Sequence, residues 1–271
     1  AVHIRRWVDE VARGPVEVSR ATRRLTAEIV HLVAFGELPK DRWFTYGYQN
    51  VDPVVLDSKR RLAHLLWPVL DRLPTPYALM HRASAVIFRR LLTDRFNQYR
   101  HNSESLVGWL DRYGAAEGHP NLAWETLPFI VNAAIGILPY PMVMSLYVLA
   151  DKPELQQRIV DDDLYGAALK ETLRLHPAVP TIARVVTQRV ESESAVIEQM
   201  ASPEGQLYMN PMGILRHPRG WSRPDDFIID RWLPGWHDDA DPDYRLYIPF
   251  GMGARSCIGA AFATKVLELF L

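Results

Sequence analysis

One cysteine, Cys257, is the whole thiol content of 271 residues. No intrachain disulfide can form, and a structural zinc site built from several thiolates is excluded. Charge of one sign is not in excess either. Lys and Arg number 31 against 32 Asp and Glu, a net charge of −1. Such a chain offers no basic field for nucleic acid and no polybasic run for an anionic membrane surface. Internal repeats and low-complexity tracts are lacking, and the first residues show no secretory-signal pattern. What remains is an ordinary globular composition, 48% hydrophobic and 23% charged, which excludes a fibrous repeat and wholesale disorder. This length makes one large domain or two ordinary ones. The chain opens on Ala1-Val2-His3 and stops inside the apolar run Val266 to Leu271, so it reads as part of a longer protein.

The first two thirds carry helical periodicity. Leu25, Ile29, Leu32 and Val33 form an apolar stripe that ends near Phe35-Gly36, where glycine can cap. Leu62, Leu65, Leu66, Val69 and Leu70 repeat the pattern and stop before Pro74. Over Tyr77–Tyr99 an apolar face (Leu79, Ala83, Val86, Ile87, Leu91) alternates with a basic one (Arg82, Arg89, Arg90, Arg95), expected to be a solvated surface. Residues 126–150 hold no charge, which meets the length for a membrane span of ~20 residues. Pro139 and Pro141 sit in the middle and remove helical hydrogen bonds. Asn132 and Ser145 interrupt the stretch, so a kinked, buried core helix is expected instead. After Pro177 the texture changes. Ile182–Val186 and Gln206–Met209 are short, β-rich and bounded by Pro, Ser and Gly, predicting a small sheet. From Pro211 to Pro249 the chain is dense in Pro, Gly, Asp and Trp, as in a functional or tightly packed loop region.

The decapeptide Phe250-Gly251-Met252-Gly253-Ala254-Arg255-Ser256-Cys257-Ile258-Gly259 carries the most chemistry. Its glycines let the backbone turn with positive φ and pass close to a flat ligand. The run Ala260–Leu271 that follows forms a helix, which puts Cys257 near a helix N-terminus, where a thiolate is stabilised. Backbone N–H groups in such a turn can moderate the charge of a metal-bound sulfur. Arg255 can reach an anionic group at the edge of the ligand. Upstream, Glu171 and Arg174 stand at i, i+3 and share one helix face, where they can pair.

The decapeptide resembles the F-x-x-G-x-R-x-C-x-G loop of the cytochrome P-450 haem-thiolate family, with every defining position filled. Glu171-Thr172-Leu173-Arg174 matches the family's E-x-x-R, continued by Leu175-His176-Pro177. Phe227-Ile228-Ile229-Asp230-Arg231-Trp232 resembles the segment that supplies a third partner, Arg231, although Ile229 stands where proline is usual. Arg184 matches the arginine that pairs a haem propionate. The resemblance implies a mainly α, multihelical fold with a small β region, one incomplete haem-thiolate domain over 1–271 whose N-terminal part lies outside this sequence. It implies haem b as cofactor, Cys257 as the iron's thiolate ligand, and Phe250, Gly253, Arg255, Gly259 and Arg184 as its surroundings. Glu171, Arg174 and Arg231 form a structural charged network on this reading.

One departure bears on mechanism. Where the family usually has Ala/Gly-Gly-x-Asp/Glu-Thr, this chain reads Ala133-Ala134-Ile135-Gly136-Ile137. The acid and alcohol that deliver protons in monooxygenases are replaced by Gly136 and Ile137. The resemblance then leaves three functions open. The leading one is a monooxygenase that inserts one oxygen atom from O2 into an apolar substrate of lipid, sterol, terpenoid or xenobiotic kind. Its electrons would come from NAD(P)H through a separate reductase or ferredoxin. A second is a peroxide-using isomerase or dehydratase without reductase, and a third a haem-binding relative without turnover. The family's N-terminal anchor would belong to a preceding segment. Localisation is expected to be the endoplasmic reticulum membrane for a microsomal type, otherwise the cytoplasm.

Overall fold

The computed structural model describes residues 2–39, 76–187, 206–236 and 243–271. The predicted helix around Leu62–Leu70 lies outside the described residues. Contacts divide the chain into two compact units, Ala1–Pro139 and Tyr140–Leu271.

The first unit is helical throughout its described part: α1 (Val2–Val11), α2 (Val18–Phe35), α3 (Pro76–Tyr99), α4 (Leu106–Ala116) and α5 (Leu122–Ile137). Gly36 ends α2 as the spacing predicts. Its φ is +85° and its N–H bonds the Leu32 carbonyl at 2.8 Å, a left-handed cap that glycine takes without strain. A Cβ there would lie 2.3 Å from Asn102 Nδ2. Asn102 occupies the spot because its Nδ2 donates to the Phe35 carbonyl at 3.0 Å. Three residues on, the Ser105 hydroxyl accepts from Gly108 N at 3.0 Å and starts α4, the ordinary chemistry of an N-cap.

Burial in this unit departs from the sequence expectation in three places. On α2 the buried face includes Thr22, Leu25, Thr26, Val30, His31 and Phe35, whereas Val33 is exposed. The face is broader than the predicted stripe and turned from it, because α5, α4 and α1 pack on more than one side. On α3 the expected apolar face is not a core face. Leu79, Ala83, Val86 and Ile87 are exposed, and Leu92, Phe96 and Tyr99 are buried instead. Among the described side chains of that helix the buried ones lie in its C-terminal half, so the apolar residues described in its first half meet no core among the described residues. The uncharged stretch is likewise less buried than expected. It forms α5 and then α6 (Pro139–Leu149), with Phe129 and Tyr147 each 71% exposed. The helical stretch Leu122–Leu149 has the length and hydropathy of a membrane span, and 39% of its most apolar window is buried.

The second unit contains most of α6, then α7 (Pro153–Asp161), α8 (Tyr165–Leu175), β1 (Ile182–Val185), β2 (Gln206–Met209), α9 (Pro211–Leu215) and α10 (Ala260–Phe270). Strands β1 and β2 pair antiparallel with Ile182 opposite Met209 and Ala183 opposite Tyr208. The fold is therefore mainly helical with a small antiparallel sheet. Helix α8 is its centre: Ala167, Ala168, Leu169 and every residue from Glu171 to Leu175 are buried. Around it pack α7, α9, α10 and a tight helical turn at Ile229–Trp232. Ile159, Ala167, Ala168 and Ile229 make one apolar cluster. Ile229, the residue in place of proline, is 2% exposed and fills that cluster.

Candidate functional site

Two adjoining features of the second unit carry the chemistry, and α8 organises the first. Arg174 grips Glu171 with two bonds of 2.9 Å, from Nε to Oε2 and from Nη2 to Oε1. The turn Ile229–Trp232 brings Arg231, whose Nε donates to Glu171 Oε1 at 3.2 Å. Ile228 N donates to Oε1 at 2.9 Å and Trp232 Nε1 to Oε2 at 3.0 Å. All three charged residues are 0% exposed. A buried carboxylate is stable only if its lone pairs are filled, and here five N–H groups fill them.

The guanidinium of Arg174 is equally complete. Beyond Glu171 it donates to the carbonyls of Leu215 (3.1 Å), Pro224 (2.7 Å) and Asp226 (3.0 Å). Its five N–H groups thus meet five acceptors, and its cationic carbon lies 5.2 Å over the Trp221 ring. Arg231 adds bonds to Ser222 Oγ (3.2 Å) and the Arg223 carbonyl (2.8 Å). Burial lowers the Arg231 pKa, Glu171 opposes that change, and Arg174 adds to it. The network therefore carries one net positive charge and ties three loop segments to one helix. It is a structural lock, with no group free for catalysis.

The second feature is the cysteine loop. Gly251 and Gly253 have φ of +70° and +71°, so the backbone there takes turns that only glycine accepts easily. The loop closes on itself through Cys257 N donating to the Phe250 carbonyl at 2.9 Å and Ser256 N to that of Gly253 at 3.0 Å. Gly259 precedes α10, and a Cβ on it would stand 3.8 Å from Cys257 Sγ. Cys257 is exposed, as are Met252 (69%) and Ile258 (87%) beside it, while Phe250 is half-buried. Arg255 is exposed and has no ion-pair partner among the described residues.

These residues fit a haem. That group needs one protein thiolate and brings its other ligands with it. No cluster of three His, Cys, Asp or Glu suits a protein-built metal site among the described residues. A thiol flanked by uncovered apolar side chains, with a free guanidinium two residues away, matches a flat apolar ligand with acidic edges.

The other predicted site residues lie on other elements. Arg184 lies exposed on β1, its Nη1 bonded to the Ala183 carbonyl at 2.9 Å. Ala133, Ala134, Gly136 and Ile137 lie on α5 in the first unit. Ala133 and Ala134 are half-buried, and Gly136 and Ile137 are exposed. Sequence reading missed the aromatic side chains that wrap the network. Trp221 and Trp232 rings are 5.7 Å apart, Trp232 and Tyr247 4.6 Å, and the Tyr244 hydroxyl donates to the Arg231 carbonyl. The signal was the density of Trp and Tyr between residues 221 and 247, which marks a packed region without saying what it packs on.

Known proteins share this stretch. Residues 163–271 match the family model "Cytochrome P450". "Probable cytochrome P450 4p2" of Drosophila melanogaster is 30% identical over 179 residues, 60% of this chain and 33% of that protein. "Cytochrome P450 3A7" of Homo sapiens is 33% identical over 198 residues, 64% of this chain and 38% of its own length. Rattus norvegicus "Sterol 26-hydroxylase, mitochondrial" is 28% identical over 167 residues, 54% of this chain and 31% of the relative. The chain spans about a third of the length of these curated relatives. The matched segment holds both the Glu171 lock and the Cys257 loop, and over residues 163–271 the chain is similar to the cytochrome P450 family.

Proposed function

We propose that the chain, read as one haem-thiolate domain, binds haem b through Cys257 and serves a monooxygenase that oxidises a small apolar substrate. Electrons come from NAD(P)H through a separate reductase or ferredoxin. The observation that carries this reading is the chain's sole cysteine, held in a glycine-turned loop inside the segment matched by the family model. Relatives named as hydroxylases of a sterol and of (S)-N-methylcoclaurine support hydroxylation as the reaction class. Bound haem supplies oxygen activation, and donation from a cysteine thiolate favours cleavage of the O–O bond.

The chain's own residues then divide the work. Cys257 supplies the thiolate, and Phe250 covers its side of the ligand. Arg255 and Arg184 hold the ligand's carboxylates. On α5, Gly136 and Ile137 offer neither acid nor hydroxyl, so proton delivery falls to water. Pro139 and Pro141 lack N–H groups, which frees the carbonyls of Ile135 and Ile137 from helical partners to hold such a water. A well-placed general acid is worth on the order of 10²–10⁴ in rate. The same missing pair supports a second reading, a peroxide-using isomerase or dehydratase that needs no reductase.

The reduced carbonyl complex tests the ligand. It should absorb at the long-wavelength position of thiolate ligation, and Cys257→His should move it to the histidine-ligated position. A thiolate-type spectrum surviving in that variant overturns the assignment. Turnover separates the two reactions: reductase-dependent NADPH consumption with product supports the first, and rearrangement of an organic hydroperoxide without reductant the second. Gly136→Asp with Ile137→Thr should raise the product formed per NADPH if protons limit the monooxygenase.

A further inference from the structure

The charged lock and the cysteine loop are separate in sequence, and two aromatic side chains join them. Trp232 faces the lock through Nε1, which donates to Glu171 Oε2 at 3.0 Å. Its ring packs against the Tyr247 ring at 4.6 Å and 58°. Tyr247 in turn donates from its hydroxyl to the Lys170 carbonyl at 3.2 Å, on the residue before Glu171. Burial raises the Tyr247 pKa, so the hydroxyl remains a donor. Tyr247 stands three residues before Phe250, whose carbonyl receives the Cys257 N–H. Lys170 Nζ lies 5.7 Å over the outer part of the pair, above the Trp232 ring.

We propose that Trp232 and Tyr247 are positioning residues, a two-ring clamp that fixes the start of the Cys257 loop to the Glu171 lock on α8. The clamp acts through the backbone between Tyr247 and Phe250, and the turn Gly251 N to Ile248 O (3.0 Å) stiffens that short run. Helix α8 is buried along most of its length, so a loop tied to it is anchored on the core of the second unit. Without the tie, the loop's own hydrogen bonds close it locally but leave its direction open. The role deepens the haem-ligand reading, because a thiolate that must meet iron at one point gains from a fixed loop origin.

Amide hydrogen exchange on the full chain tests the clamp without needing haem. Tyr247→Phe keeps the ring and removes the bond to Lys170, and Trp232→Phe keeps a ring and removes the bond to Glu171. Each should speed exchange over residues 248–259 by roughly three- to tenfold, the ratio one net hydrogen bond is worth. Exchange of the α8 amides should stay unchanged. The two bonds reach α8 side by side, so the double variant should speed loop exchange clearly more than either single variant. Unchanged loop exchange in both variants overturns the clamp, as does equal acceleration of the loop and α8, which is general loosening. The haem-loaded protein gives a second readout: the share of thiolate-type carbonyl spectrum should fall in both variants. If the unmodified chain shows no such spectrum, the haem reading fails, while the exchange result still decides the clamp.

Discussion

Removing Glu171 should be among the most damaging single changes in the second unit. Five N–H donors converge on its carboxylate: two from Arg174 and one each from Arg231, Ile228 and Trp232. Glu171→Ala orphans all of them and leaves two guanidinium groups buried without a counter-charge. At about 1–3 kcal/mol for each unsatisfied buried donor, a plain sum would exceed the stability of the domain. Side-chain relaxation and entering water reduce it, and breaking a buried ion pair typically costs about 3–5 kcal/mol. Total stabilities are about 5–15 kcal/mol, so the loss is about a fifth or more. A chain this long melts roughly 2–4 °C lower per kcal/mol, a fall on the order of 10 °C. Urea unfolding followed by tryptophan fluorescence suits the measurement, because Trp221 and Trp232 border the network. Glu171→Gln keeps the shape but turns one acceptor into a donor facing other donors, so it should recover little. Glu268→Gln is the control, since Glu268 makes a surface pair with Lys265 at 3.9 Å and should change stability by less than about 0.5 kcal/mol. A Glu171→Ala protein melting within about 2 °C of the unmodified chain would refute the buried lock.

Three further outcomes are expected. Gly36→Ala should lower the melting temperature, because a left-handed residue with a Cβ costs about 1–2 kcal/mol and that Cβ would press on Asn102 at 2.3 Å; an unchanged melting curve would contradict this. Ser105→Ala should cost about 1 kcal/mol in denaturant titration through the lost cap on α4, while Ser105→Asp should retain most of it. His176 has its pKa lowered by burial, then by Arg216 and Arg174, so the unfolded chain binds its proton more readily. Stability should therefore be full above the ordinary histidine value near 6.5 and decline as pH falls through it toward the lowered value. His176→Gln should flatten that decline between about pH 7.5 and 5.5, and a slope identical in both proteins would assign it to other groups.

Some of this was written in local order. Residues at i, i+3 on one helix must share a face, so the spacing of Glu171 and Arg174 was enough to read them as a pair. Gly36 could be read as a cap, and Phe250 to Gly259 as a loop shaped around one thiol, because backbone conformation follows from residue type within a few positions. The small sheet after Pro177 was legible for the same reason. Other features belong to tertiary structure. Periodicity marks an apolar face on α3 but does not supply a neighbour, and Leu79, Val86 and Ile87 stay exposed while Leu92 and Phe96 are buried. The uncharged run of α5 and α6 looked like a core helix, yet Phe129 and Tyr147 face outward. Nothing in the sequence gives Arg174 the carbonyls of Leu215, Pro224 and Asp226, 41 to 52 residues away. Nor could Trp232 be assigned to Glu171 across 61 residues. Short-range sterics act within a few residues and can be read from residue type, whereas satisfying a buried charge depends on which distant backbone groups the chain brings to it.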